Sequence, residues 1–193
     1  AMFINYKKRY IFVAIAKTAC TSVHRALDAP TPDPPPDIYH MSLKDILINF
    51  PESVDFYKFA FVRNPYDRLV SAYYNFRFNP EHQAWATPIY QFDTFKDFVF
   101  GFEATPCKDF IHLRSQFDYL QVNGEVKLDF VGKYENLNQD FEKIKKDLGL
   151  SDVRLGHHRR QEHPPYEKLY DEETKQAVRR IYKNDFEVFG YEE

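Results

Sequence analysis

The run Tyr10-Ile11-Phe12-Val13-Ala14-Ile15, continuing into Ala16-Lys17-Thr18-Ala19-Cys20-Thr21-Ser22, decides how this chain is read. The first part is apolar throughout and mostly β-branched or aromatic. It reads as a strand buried on both faces, as strands of a parallel sheet are. The second part is small and polar and ends the strand. Thr21 or Ser22 is then expected to cap a helix reaching about Ala29, with Val23, Ala26 and Leu27 on one face. Strand, short loop and helix are the repeating parts of a parallel α/β sheet.

Working outward, Phe56-Tyr57-Lys58-Phe59-Ala60-Phe61-Val62 reads as a second buried strand. Arg63-Asn64-Pro65 ends it, because a proline disfavours helix at the residue before it. A helix is expected over 66–76, with Leu69, Val70, Tyr73 and Tyr74 at helical spacing. Ser42 should cap a short helix over 42–50. Further helices are expected over 94–100, part of 108–115, 138–148 (stopped by Gly149) and 171–184. Asn123-Gly124 marks a hairpin within 117–131, and its second arm, 126–134, is expected to run on into the main sheet. Residues 30–36, with five prolines, read as a stiff connector. Residues 79–91 read as an irregular loop and 157–165 as a polar, basic one. The alternation of strands and helices implies an α/β fold, a central, mainly parallel sheet flanked by helices. With no internal repeat, residues 1–193 read as a single domain.

Composition narrows the function. A hydrophobic fraction of 44% supplies ample core. Lys and Arg total 26 against 29 Asp and Glu, a net charge of −3. That balance argues against a nucleic-acid partner, which calls for a basic excess. An anion is then met by a local pocket rather than by a global field. Cys20 and Cys107 are far apart and form no CxxC, so no disulfide framework is expected and a reducing compartment fits. No apolar run reaches membrane-spanning length, and the first residues lack the order of a signal peptide. A cytoplasmic protein is the expectation.

In parallel α/β sheets, ligands bind at the C-terminal strand ends. Two loops there carry chemistry. Residues 16–22 offer backbone N–H groups at a helix start, the cation of Lys17 and the hydroxyls of Thr18, Thr21 and Ser22, a set suited to an anion. Small Ala16, Ala19 and Cys20 permit close approach. The segment holds no glycine, so it is not a Walker A loop. A plain capped turn is an equal reading of this loop alone. At the second strand end, Arg63 and Ser71 have the means to clasp one phosphate. A local ion pair of Arg63 with Asp67 is the plainer alternative. A nucleotide with phosphates at both 5′ and 3′ positions would bridge the two loops.

Residues 16–22 resemble the 5′-phosphosulfate loop of sulfotransferases that use 3′-phosphoadenosine 5′-phosphosulfate (PAPS). The segment Phe59-Ala60-Phe61-Val62-Arg63-Asn64-Pro65-Tyr66-Asp67-Arg68-Leu69-Val70-Ser71-Ala72-Tyr73 is similar to their 3′-phosphate segment. Asp129-Phe130-Val131-Gly132-Lys133-Tyr134-Glu135-Asn136-Leu137 and the stretch 182–191 resemble two later signatures, in the same order. The carbohydrate sulfotransferase branch, with its short bacterial members, is the nearest likeness. The resemblance implies a P-loop-like three-layer fold, PAPS as donor, adenosine 3′,5′-bisphosphate as product, no metal, and a hydroxyl acceptor, a glycan or small molecule. It implies that Lys17 meets the bridging and leaving oxygens, that 18–22 hold the 5′-phosphate, that Arg63 and Ser71 hold the 3′-phosphate, and that Tyr134 lies near the adenine. Where the family has Pro before this Lys, the chain has Ala16, which predicts a less rigid loop.

An alcohol acceptor must lose its proton. His40, before the helix at Ser42, is the candidate base, since an imidazole titrates near neutral pH; a surface histidine is the plainer reading. His24 is expected to pack or to support the site. The cluster His157-His158-Arg159-Arg160 offers Arg160 to the 3′-phosphate or to an anionic acceptor, and reads equally as a solvated loop. His112, Arg114 and Gln116 line a cleft or form a solvated face. Two other functions are the alternatives: a P-loop-type kinase or phosphotransferase, which needs Mg²⁺ and the glycine-rich phosphate cradling that this loop lacks, and a nucleotide-binding module without catalysis.

Overall fold

The computed structural model describes residues 4–27, 40–78, 87–156 and 163–192. In chain order these form β1 (Ile4–Asn5), β2 (Tyr10–Val13), α1 (Cys20–Ala26), α2 (Leu43–Asn49), β3 (Tyr57–Val62), α3 (Pro65–Phe78) and α4 (Phe95–Gly101). There follow α5 (Gln116–Leu120), β4 (Gln121–Val122), β5 (Glu125–Val126), β6 (Phe130–Lys133), α6 (Leu137–Leu148), α7 (Glu172–Ile181) and α8 (Lys183–Phe189). The chain divides into two compact units, Ala1–Arg63 with Gln116–His158, and Asn64–Ser115 with Arg159–Glu193. The expected proline-rich connector at 30–36 and most of the loop at 79–91 lie outside the described residues. Among the described residues, no helix is long and apolar enough to cross a membrane.

The first unit carries the expected mixed α/β sheet, mostly parallel and flanked by helices. Its order is β1-β2-β3-β6, with β1 antiparallel at the edge and β2, β3 and β6 mutually parallel. Side chains alternate across a strand. Tyr10 and Phe12, with Ala14 just beyond β2, therefore share a face with Phe59 and Phe61 of β3. Against that face pack Cys20 and Val23 of α1 and Phe141 and Ile144 of α6. The rings of Phe12 and Phe59, paired in register, stack at 5.1 Å. Burying a side chain of that size contributes roughly 1.5–3 kcal/mol.

Gly132 of β6 is there for close approach. It pairs with Phe61, and a Cβ on it would fall 2.5 Å from a ring carbon of Phe61. Only glycine lets β6 lie flat against β3 at this point. The register Val62↔Lys133 then brings the next residues, Arg63 and Tyr134, out of neighbouring strands at the same sheet edge.

The hairpin β4–β5 turns on Asn123 (φ 55°) and Gly124 (φ 83°), the left-handed pair its sequence calls for. It ends at Val126 instead of running into the sheet. Asp129 bonds both ways to the backbone of Lys58, its carboxylate accepting from the Lys58 N–H and its own N–H donating to the Lys58 carbonyl. That clasp starts β6 afresh.

The second unit is helical and aromatic. Tyr66, Leu69, Val70, Tyr73 and Phe76 of α3 pack with Phe95 and Phe98 of α4, Val178 of α7 and Phe186 of α8. Asp171 opens α7 with a capping box, its carboxylate accepting from the Thr174 N–H while the Thr174 hydroxyl accepts from the Asp171 N–H. Two sequence expectations fail here. The helix over 171–184 is two helices, because the chain leaves helical geometry at Tyr182 (φ −111°, ψ 32°), whose hydroxyl donates to the Leu113 carbonyl. Residues 108–115 form no α-helix. A 3₁₀ turn, Pro106–Asp109, comes first. The carbonyls of Ile111 and Arg114 then accept from the buried guanidinium of Arg68.

Candidate active site

The loop after β2 turns without glycine. Lys17 (φ 69°) and Ala19 (φ 68°) both adopt the left-handed conformation, with Thr18 between them. Each such position costs a residue with a Cβ on the order of 1 kcal/mol. Alternating hands along a short segment turn successive N–H groups toward one side, a concavity that suits an anion. Ala19 is the residue that opens α1, and no side chain caps it. The expected Thr21 or Ser22 cap is thus replaced. The left-handed turn starts the helix at Cys20, before either hydroxyl is in position to cap.

Internal bonds hold this loop. Thr18 is fully buried, and its hydroxyl donates to the Ile15 carbonyl at 2.7 Å. Its side chain therefore serves the loop. Cys20 is buried, Lys17, Ala19 and Ser22 are half-buried, and Thr21 is exposed. Nη1 of Arg63 donates to the Lys17 carbonyl at 3.0 Å. The same guanidinium lies over the ring of Tyr134, 3.9 Å from its centre. Arg63 is only 6% exposed. The planar guanidinium is thus held between the Lys17 carbonyl and the Tyr134 ring, and its N–H fork is of the kind that binds carboxylates and phosphates two bonds at a time.

The backbone of Arg63 is fixed as well. Its N–H donates to Oε1 of Gln116, and its carbonyl accepts from Nε2 of the same side chain, both at 2.8 Å. Gln116 is fully buried.

His40 is anchored at the same sheet edge. Its Nδ1 lies 2.7 Å from the carbonyl oxygen of Ala14, the residue after β2. A carbonyl only accepts, so Nδ1 carries the hydrogen, and in the neutral ring Nε2 is the basic nitrogen. His24 of α1 is buried, with its ring 4.8 Å from that of Phe12. Burial, and secondarily the charge of His40, push its pKa down to about 4. It is neutral above that value.

The structure thus brings Lys17, Thr18, Arg63 and Tyr134 together at the C-terminal ends of β2, β3 and β6, with His40 anchored at the end of β2. Ser71 is buried on α3, in the second unit. Arg160, with His157, His158 and Arg159, lies outside the described residues. Gln116 was legible only as one of a polar group. The left-handed Lys17 and Ala19 left no mark on the sequence, whereas Gly132 did, as a lone glycine in an apolar strand.

A family model described as "Sulfotransferase family" matches residues 1–192. An uncharacterized protein of Archaeoglobus fulgidus is 34% identical over 101 residues, covering 50% of this chain and 73% of that protein. No solved structure matches the chain.

Proposed function

Since this chain belongs to the sulfotransferase family, we propose that it moves a sulfuryl group from PAPS to a hydroxyl of a carbohydrate. We read residues 1–193 as one domain of the P-loop-like, three-layer type and of the carbohydrate branch. The observation that carries the donor assignment is the buried Arg63 guanidinium, bonded to the Lys17 carbonyl and stacked on Tyr134. It joins one loop suited to a 5′-phosphate, one cation suited to a 3′-phosphate and one ring suited to a base. The donor supplies an electrophilic sulfuryl group and a phosphate leaving group.

This chain's residues then have separate tasks. The ammonium of Lys17 offsets charge on the leaving oxygens. Backbone N–H groups of 18–22 and the hydroxyls of Thr21 and Ser22 hold the 5′-phosphate. Arg63 and Ser71 hold the 3′-phosphate, with Arg160 assisting, and Tyr134 borders the adenine. Nε2 of His40 takes the acceptor's proton, and the resulting imidazolium stays oriented by its Nδ1–H bond to Ala14. The other calls on the protein are positioning and exclusion of water, as for phosphoryl transfer.

Calorimetry with adenosine 3′,5′-bisphosphate tests the donor assignment. Arg63→Ala is expected to weaken binding about ten- to a hundredfold, the range for losing a charged hydrogen-bond partner. Unchanged affinity in the folded variant would remove Arg63 from the site.

A further inference from the structure

Resting on that donor reading, we infer that Gln116 is a positioning residue for recognition of the 3′-phosphate. Pairing between β3 and β6 ends at Val62↔Lys133, so the backbone of Arg63 lies one step past the last rung of that ladder. A buried N–H and C=O at such a point need partners. The carboxamide of Gln116 gives both, accepting from the Arg63 N–H and donating to the Arg63 carbonyl at 2.8 Å each. A carboxamide carries a donor and an acceptor side by side, as a peptide edge does, without needing to gain or lose a proton. It copies the edge of one more peptide and extends the ladder by a residue that belongs to no strand.

This has a consequence for the side chain. Two backbone bonds fix the direction in which Arg63 leaves the sheet. That direction decides whether its long side chain reaches the Lys17 carbonyl and the Tyr134 ring at once. Gln116 is bonded on both sides to the Arg63 backbone, and it acts on the site through Arg63. Loss of its two bonds should therefore weaken the grip of the Arg63 side chain on a 3′-phosphate more than that of the 5′ loop, which Arg63 supports by a single bond to the Lys17 carbonyl.

The experiment compares two probes by calorimetry, adenosine 3′,5′-bisphosphate and adenosine 5′-monophosphate, on the full chain. The parent is expected to prefer the bisphosphate. Gln116→Met keeps the length and apolar stem but forms neither bond, and should cut that preference about tenfold, with affinity for the monophosphate falling far less than affinity for the bisphosphate. Gln116→Glu keeps the acceptor for the Arg63 N–H, should lose part of the preference, and serves if the methionine variant does not fold. In an Arg63→Ala background, neither change should reduce the preference further. A preference retained by the folded variants, or equal weakening of both probes, overturns the role of Gln116 and leaves the donor reading standing. A parent with no preference for the bisphosphate overturns the donor reading and this inference with it.

Discussion

Two of the turns in the first unit that use left-handed backbone do so for opposite reasons. At Asn123-Gly124 the residues suit the conformation, and a Cβ on Gly124 would meet nothing within 4 Å. At Lys17-Thr18-Ala19 two residues with side chains take the same conformation against their preference. The hairpin turn is specified locally. The loop at 16–22 is held by the Thr18 hydroxyl on the Ile15 carbonyl within it and, from a distant strand end, by Arg63 on the Lys17 carbonyl. Strain of this kind persists only where surrounding structure holds it, and it gathers where a ligand is bound.

The largest effect that sharpens this contrast comes from Lys17→Gly. Glycine accepts the left-handed backbone, so the fold should be kept or slightly stabilised. Loss of the ammonium should cut sulfuryl transfer by at least about a hundredfold. A folded variant with parental turnover would show that Lys17 is there for the turn alone.

The next effect tests the support beneath the loop. His24, on the helix that the loop opens, has its pKa lowered to about 4 from 6.5, chiefly by burial and secondarily by His40. A histidine with a depressed folded-state pKa contributes stability that is complete above the unfolded value. It is lost as pH falls from 6.5 toward about 4, because the unfolded chain takes up the proton first. The loss is on the order of 3 kcal/mol. His24→Phe should flatten that part of the stability profile, read by urea unfolding at several pH values. An unchanged slope would assign the acid sensitivity to other groups.

The smallest effects have opposite signs at the two turns. Gly124→Ala should destabilise by about 1 kcal/mol, since it puts a Cβ on a left-handed residue. Ala19→Gly should stabilise by a similar amount and leave donor binding in place. Equal signs in thermal unfolding would erase the distinction between a turn set by its own residues and one set by its neighbours.

The same distinction governs how much was legible in the sequence. Strands β2 and β3, the Ser42 cap, the helix near 94–100, the Gly149 stop and the hairpin turn all follow from local pattern, and the structure carries each of them. What local pattern missed depends on contacts made far along the chain. The helix break at Tyr182 follows its hydrogen bond to Leu113, and the lost helix near 108–115 follows the Arg68 guanidinium. Of the site, Lys17, Arg63 and Tyr134 were readable as residue types in motifs. Their meeting was not, because it depends on the register Val62↔Lys133 and on Gly132 beneath Phe61. The clamp of Gln116 on Arg63 was hidden for the same reason.

The central claim is sulfuryl transfer from PAPS at this sheet edge. It is tested most directly by incubating the chain with PAPS carrying radiolabelled sulfate and a panel of glycan and small hydroxyl acceptors. The account predicts label on a carbohydrate hydroxyl, with adenosine 3′,5′-bisphosphate released in equal amount. Transfer seen only with ATP and Mg²⁺, as phosphate, would contradict it.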